Sequence, residues 1–162
     1  MQPATQQLES VATHFTWDGV ARHTRQRRAR EGGDGDPGNE RCDALITETA
    51  RCLECDLDAT SGLAALEASG LRSAPVVDDN GVLVGVVCHA ALARLREFDE
   101  LEVEDAMITD LVTVTQDATV AELAKLMAQH GLERVPVVTH DGHLVGVVSS
   151  MDVVRWLADR LP

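Results

Sequence analysis

The spacing of apolar and polar positions changes several times along the second half of the chain. Short runs rich in β-branched residues predict strands, and apolar residues three and four apart predict helices. On this basis residues 111–161 are predicted to follow the order strand, helix, strand, strand, helix. The corresponding ranges are 111–115, 119–131, 135–138, 144–148 and 149–161.

Local signals mark the boundaries of these elements. Thr119 and Glu122 are spaced as a capping box at the start of the first helix, and Gly131 is suited to end it. Asp141-Gly142 predicts a type I′ hairpin turn, because both residue types tolerate a positive φ. The last helix has a predicted apolar side made of Val153, Val154, Leu157 and Leu161.

The first half of the chain contains another copy of this pattern. Residues 75–77, which read Pro-Val-Val, and residues 81–87 both recur 61 positions later. Nine of the thirteen positions from 75 to 87 are identical in the two copies, and residues 43–47 recur with one conservative change at an offset of 62. Identity in register over such a length indicates an internal repeat of one β-α-β-β-α unit.

The repeat divides the chain into three parts. A unit of about 60 residues buries too little apolar surface to be comfortably stable alone. We therefore expect an α+β fold in which two β-α-β-β-α units, residues 42–100 and 101–162, share a core as a pseudo-symmetric pair. Residues 1–41 form an N-terminal extension that ends in a Gly-rich linker at 31–39. A short amphipathic helix is predicted within it from Leu8, Val11, Ala12 and Phe15.

The charge distribution argues against nucleic acid as a partner. The formal net charge is -13 over 162 residues, and residues 42–162 carry all of it, since residues 1–41 sum to zero. A surface this acidic repels nucleic acid and anionic membranes. Arginines cluster between residues 22 and 30, but no aromatic residues are interleaved with them. This pattern favours a solvated tail over a nucleic-acid site.

Composition also bears on the cellular compartment. No apolar run reaches the roughly 18–20 residues of a membrane span. The N-terminus has neither the charged start nor the apolar core of a secretory signal. Four cysteines are too few for a disulfide scaffold. The sequence therefore predicts a cytoplasmic protein with reduced thiols and no membrane partner.

Several features of the repeat occur together: the β-α-β-β-α order, a strand with Pro-Val-Val, a turn with Gly, and Gly-Val-Val-Ser-Ser-Met-Asp at 146–152. In this combination the repeat resembles a tandem pair of CBS (cystathionine β-synthase) domains over about residues 42–162. The resemblance implies a regulatory module in which the copies pack through their sheets and pairs dimerise into a flat disc. It also implies an adenosine-containing ligand (AMP, ADP, ATP or S-adenosylmethionine), with no obligatory cofactor.

The ligand motif of the family, Gly-h-h-(Ser/Thr)-x-x-Asp, matches copy two at Gly146, Ser149 and Asp152. The chemistry of these residues suits a nucleotide. A carboxylate accepts hydrogen bonds from both ribose hydroxyls, and the N-terminus of a helix attracts phosphate. Arg134 is a cation that can reach a phosphate. The apolar residues expected to sandwich an adenine are Val112, Val135 and Val138.

A purely structural interpretation of the motif is also open. Ser149 and Asp152 have the spacing of a capping box, and one serine can serve in both roles. Copy one departs from the motif, because Cys88 and Ala91 stand at the corresponding positions. A second, equivalent ligand site in copy one is therefore in doubt.

Metal and enzyme chemistry are less well supported. Residue types that bind zinc occur at Cys52 and Cys55, with Cys42 and His89. However, Cys52 and Cys55 are predicted on one strand, with their side chains on opposite faces. Small buried residues are the favoured interpretation. The chain has no P-loop and no nucleophile elbow, and its only lysine is Lys125. We expect neither a metal nor a catalytic site.

Two functions remain from the sequence. The first is a regulatory module that binds an adenosine-containing ligand and signals by conformational change. The alternative is a structural dimerisation or interaction module with a degenerate ligand site, whose N-terminal segment docks an unknown protein partner. Both include a homodimer with a helical interface, and Trp156 on the last helix is the predicted interface residue.

Overall fold

The computed structural model of the chain describes residues 39–46, 51–98 and 100–161. The helix predicted at 8–15, the arginine cluster and most of the predicted linker lie outside these ranges. Within them, no helix is long and apolar enough to span a bilayer. The elements in chain order are β1 (Leu53–Glu54), α1 (Ala59–Ser69), β2 (Ser73–Val77), β3 (Leu83–Cys88), α2 (His89–Leu95), β4 (Val114–Thr115), α3 (Val120–His130), β5 (Arg134–Val138), β6 (Leu144–Ser149) and α4 (Ser150–Ala158). Two 3-10 helices are added to these, Cys42–Leu45 and Val103–Ala106.

Both copies form a three-stranded sheet with the same topology. In copy one, β1 is parallel to β2, and β2 is antiparallel to β3. In copy two, β4, β5 and β6 repeat this arrangement. In each copy, the short first strand forms two residue pairs with the central strand, at equivalent positions. The predicted α+β class and the β-α-β-β-α order are confirmed. The strand predicted at 111–115 is shorter than expected, because only Val114 and Thr115 pair with β5.

Caps explain where the longer helices begin and end. The capping box of Thr119 and Glu122 is present at α3, with the Glu122 carboxylate accepting from Thr119 N at 2.8 Å. Gly131 ends α3 in the left-handed conformation at φ 63°, as predicted. In copy one, Asp58 caps α1 by accepting a hydrogen bond from Ser61 N at 2.8 Å.

The hairpin turns differ from the prediction. Gly81 and Gly142 have φ values of 79° and 84°, but neither Asn80 nor Asp141 has a positive φ. A type I′ turn needs both central residues at positive φ, so the connection is a longer turn closed by glycine. Asp78 stabilises the first turn, since its Oδ1 accepts from the backbone N–H of Asn80 and of Val82, both at 2.9 Å.

The two copies exchange their first segments. The 3-10 helix Val103–Ala106, at the start of copy two, is buried in the core of copy one. The 3-10 helix Cys42–Leu45, at the start of copy one, is buried in the core of copy two. Each core thus contains a sheet, two helices and a segment from the other repeat. This arrangement requires both copies to be folded before either core is complete.

Direct contacts between the sheets complete the pair. The turns meet through two backbone hydrogen bonds, from Leu83 N to Gly142 O at 3.0 Å and from Leu144 N to Gly81 O at 3.1 Å. In addition, Val86 on β3 exchanges two backbone hydrogen bonds with Ile108, at 2.8 and 3.0 Å. The near-symmetry of these contacts follows from the sequence identity of the copies.

The last helix is oriented differently from the prediction. Trp156 was expected at a dimer interface, but it is only 6% exposed and lies in the core of copy two. Its indole Nε1 donates to Glu40 Oε2 at 2.7 Å, and the Arg160 guanidinium lies 4.3 Å from its ring centroid. Of the predicted apolar side, only Val153 packs against the core. Val154, Leu157 and Leu161 are exposed.

We predict that a truncated chain beginning at Glu40 folds as well as the full chain. It keeps the described contacts of Glu40, including the bond from Val120 N to Glu40 O at 2.7 Å. It should show one cooperative melting transition by circular dichroism or calorimetry. Aggregation of this truncated chain, or loss of its transition, would show that residues 1–39 belong to the folded unit.

Candidate functional site

The candidate site lies where β6 passes directly into α4. Ser149 ends the strand and is the N-cap of α4. Arg134, at the start of β5, is opposite Ser149 in the antiparallel register. Asp152 is in the first turn of α4. The fold therefore brings a cation, a hydroxyl and a carboxylate, up to 18 positions apart in sequence, to one end of the second sheet.

Asp152 and Ser149 form a complete capping box. Asp152 Oδ2 accepts from Ser149 N at 2.9 Å and from Ser149 Oγ at 2.6 Å, while Asp152 N donates to Ser149 Oγ at 3.2 Å. The structure thus contains the capping box that the structural interpretation of the motif predicts. The other carboxylate oxygen, Oδ1, has a longer contact of 3.4 Å with Arg155, whose side chain is 67% exposed. Oδ1 is consequently the oxygen of this carboxylate that the capping box does not use.

Arg134 is a half-buried cation. Burial lowers the pKa of its guanidinium, and the charges of Asp152 and then Glu133 oppose that shift. Within the described ranges, its side chain has no hydrogen bond and no salt bridge shorter than 4.0 Å. A partly desolvated charge without a close counter-ion is unfavourable unless an anion binds beside it.

Gly146 has a packing role that the motif alone did not reveal. A Cβ added at Gly146 would lie 2.6 Å from Ile46 Cγ2, a distance that real Cβ atoms do not show. Ile46 directly follows the exchanged 3-10 helix of Cys42–Leu45. In copy one, Gly85 faces Met107 and Ile108 in the same manner. The recurrence of residues 43–47 at 105–109 was the available signal for this contact.

The three valines proposed for the adenine differ in accessibility. Val135 is fully buried in the core of copy two, so its side chain does not face a ligand. Val138 is 8% exposed at the far end of β5 from Arg134. Val112 is half-buried and precedes β4. Of the three, Val112 has the most accessible side chain.

Copy one has no counterpart of the polar groups. Cys88 stands at the Ser149 position and makes no side-chain cap. Ala91 stands at the Asp152 position and is 7% exposed, within the first core. Ser73 replaces Arg134 and is opposite Cys88. None of these three positions in copy one thus repeats the residue type found in copy two.

The cysteines do not converge on a metal. Cys42 is buried in the core of copy two, where its thiol contacts Thr115 O at 3.3 Å, and burial raises its pKa to about 11. Cys52 is exposed before β1, whereas Cys55 follows β1 in a turn. His89 instead contacts Glu67 Oε1 at 3.1 Å. No group of three metal-ligand side chains forms in the described part of the chain.

Comparison with known proteins gives a consistent family assignment. The model of the CBS domain matches twice, over residues 56–97 and 103–159, which together exceed half of the chain. Among curated proteins, the inosine-5′-monophosphate dehydrogenase of Halobacterium salinarum is 29% identical over 144 residues, covering 78% of this chain and 29% of that enzyme. The chain spans less than half the length of the curated relatives it matches.

Solved structures share the fold. CBSX2 of Arabidopsis thaliana in complex with AMP has a TM-score of 0.64 and 23% identity, covering 74% of this chain and 97% of that chain. The CBS domain pair of protein MJ0100, in complex with 5′-methylthioadenosine and S-adenosyl-L-methionine, has a TM-score of 0.60 and 21% identity, covering 75% and 98%. At these identities the likeness concerns the fold.

We predict that Gly146→Ala destabilises the protein by about 1–3 kcal/mol, because the added methyl overpacks the contact with Ile46. Chemical denaturation without ligand measures this. The same substitution in an Ile46→Ala background should cost clearly less, since the obstructing methyl groups are absent. An equal cost in both backgrounds would assign the effect to the strand and not to the exchanged segment.

Proposed function

Because the chain belongs to the CBS-domain family, we propose that it is a regulatory module that binds one adenosine-containing ligand per chain, through copy two. Signalling occurs by a conformational change, and the chain itself is not catalytic. AMP, ADP and ATP are the favoured ligands, with S-adenosylmethionine as a further member of the class. The ligand is regulatory, and no obligatory cofactor is required.

The observation that carries this proposal is the half-buried guanidinium of Arg134, which has no hydrogen bond and no salt bridge within 4.0 Å among the described residues. A phosphate placed beside it supplies a counter-ion and two acceptor oxygens in the geometry that a guanidinium prefers. Ser149, opposite Arg134, is the N-cap of α4, and the positive end of the helix dipole favours the same anion. The positive sulfonium group of S-adenosylmethionine gains nothing from these groups. The site therefore favours a nucleotide phosphate.

The ribose is assigned to Asp152. Its Oδ1 is held only by the exposed Arg155 at 3.4 Å, so a ribose hydroxyl can replace that contact at little cost. Oδ2 continues to cap α4 while Oδ1 binds. The two roles considered for this carboxylate are thus compatible, with one oxygen for each. Val112 remains as an apolar contact for the adenine.

The solved relatives support the ligand class. One is described in complex with AMP, and another with 5′-methylthioadenosine and S-adenosyl-L-methionine. Copy one lacks Arg134, Ser149 and Asp152 equivalents, and the side chains of Cys88 and Ala91 belong to its core. We therefore propose a single ligand per chain and not two.

A structural module with a degenerate site is the second candidate. The observation that favours it is the complete capping box, which satisfies Ser149 and most of Asp152 without any ligand. This candidate gives no reason for an unpaired, half-buried Arg134. Ligand binding separates the two candidates directly.

The proposed assembly is a homodimer formed through helices. The exposed apolar residues Met151, Val154 and Leu157 on α4 replace Trp156 as the interface residues. Association of this surface removes apolar area from water. Whether a further protein docks on residues 1–41 is a separate proposal that the described residues do not address.

We predict a stoichiometry near one when AMP, ADP or ATP is titrated into the protein by calorimetry. Asp152→Asn preserves an acceptor oxygen for the cap and should weaken binding by about one to two orders of magnitude, since charge-assisted hydrogen bonds contribute about 1.5–3 kcal/mol. Arg134→Met should weaken nucleotide binding, with a smaller effect on adenosine, which has no phosphate.

Two controls accompany this titration. Asp78→Ala changes a carboxylate of a hairpin turn in copy one and should leave nucleotide affinity unchanged. Melting without ligand should show that Arg134→Met does not destabilise the protein, because its guanidinium has no close partner to lose. Undiminished binding by a folded Asp152→Asn chain, or a stoichiometry of two, contradicts the assignment. No binding of any adenosine compound supports the structural module.

We predict that the protein is a dimer at micromolar concentration and that Val154→Glu shifts it toward the monomer. The charge would be buried at the centre of the exposed apolar face of α4. Analytical ultracentrifugation measures the shift. Ala128→Glu adds the same charge to an exposed position of α3 and serves as the matched control. A wild-type monomer, or equal effects of both variants, would rule out this interface.

A further inference from the structure

The exposed large apolar side chains of the described residues are confined to two places. They lie on or directly after the last helix of each copy, with exposed fractions from 48% to 64%. These residues are Phe98, Met151, Val154, Leu157 and Leu161. Met151, Val154 and Leu157 follow one another at intervals of three residues, so they form one stripe along α4. We call these three residues the α4 stripe.

The equivalent face of copy one has a different shape. At an offset of 61, Ala90 and Ala93 on α2 correspond to Met151 and Val154, and both alanines are exposed. Arg96 corresponds to Leu157. We call Ala90 and Ala93 the alanine face of α2. One protomer thus presents a protruding apolar stripe on one repeat and a shallow apolar face on the other.

From this difference we infer that the homodimer is head-to-tail: the α4 stripe of one protomer packs on the alanine face of its partner. This inference rests on the proposed homodimer and adds its orientation. A two-fold axis then creates two identical contacts, each of large side chains against small ones. Facing positions that alternate large and small residues interdigitate best.

The opposite orientation is less favourable for a physical reason. Head-to-head association places the stripe against the stripe and the alanine face against the alanine face. Helices separated by bulky side chains pack near the wide end of the usual range of about 8–10 Å, and helices with small residues pack near the narrow end. Rigid protomers cannot satisfy both separations, so the alanine contact would retain a gap.

Disulfide cross-linking distinguishes the orientations. Cys52, the exposed cysteine of the described part, is first changed to Ser. Chains with Ala93→Cys and chains with Val154→Cys then receive tags of different mass and are mixed before mild oxidation. We expect the cross-linked product to join the two variants, and neither variant alone to give a comparable product. Asp79→Cys, in an exposed turn, replaces Ala93→Cys as the control and should not cross-link to Val154→Cys.

Each of the other outcomes contradicts a specific part of the inference. If Val154→Cys chains cross-link to themselves in a dimer, the orientation is head-to-head and the homodimer stands. If the wild-type chain is a monomer, both the homodimer and its orientation fail. If it dimerises only after removal of residues 1–39, the α4 stripe is covered by the extension of its own chain, which also contradicts the inference. Nucleotide titration tests the ligand site independently.

A second pair of substitutions guards against non-specific cross-linking. Ala93→Trp should reduce the dimer fraction at a given concentration, because the indole overfills the shallow face. Adding Val154→Ala to the same chain should restore the dimer, since the head-to-tail contact places these positions together. In a head-to-head dimer, the combination would weaken association further.

Discussion

The fold depends on the exchange of two short segments between the repeats. Cys42–Leu45 completes the core of the second repeat, and Val103–Ala106 completes the core of the first. Neither sheet with its two helices is a closed unit, which agrees with the small area that about 60 residues can bury. Gly146 and Gly85 belong to the same constraint, since each lacks a side chain where the segment following an exchanged helix crosses the sheet. The position of α4, and with it the candidate site, depends on this packing.

At the candidate site, helix capping and the proposed ligand binding use the same carboxylate. Capping requires one oxygen of Asp152, and the other contacts the exposed Arg155. Arg134, at the end of the central strand of the sheet, makes no hydrogen bond to the cap among the described residues. In the first repeat the same backbone exists with Cys88 and Ala91, whose side chains joined the apolar core. The proposed site therefore depends on three side chains and not on the shared backbone fold.

Much of the fold was predictable from the sequence because the repeat specifies it twice. Apolar periodicity located the strands and α-helices of copy two, the repeat transferred their order to copy one, and Thr119 and Gly131 located the ends of α3 correctly. The apolar side of α4 was wrong, because Val154 and Leu157 fit the spacing as well as Trp156 does. The tryptophan face is selected by the core of copy two together with Glu40, which is 116 residues away in the chain. Long-range contacts of this kind have no local signal, and the exchange of segments was missed for the same reason.

Ligand binding at the predicted site stays a prediction, but the structure shows where its residues lie. The cluster of Arg134, Ser149 and Asp152 is formed, because strand register and a cap are local properties. Val135 was misplaced, since alternation along a buried strand does not say which face meets the core when both faces are apolar. Arg155 was not anticipated, although its spacing of three from Asp152 on a helix was a usable signal.

The helix α4 has a polar contact at each end, and Glu40 makes one of the two. Asp152 lies in the first turn of the helix. At the other end, Trp156 and Arg160 contact Glu40. Over nine residues the helix is about 13 Å long, so the proposed ligand contact and the contact with Glu40 lie at its opposite ends. Under the proposed signalling, a tilt of α4 at its first turn would therefore also displace Glu40.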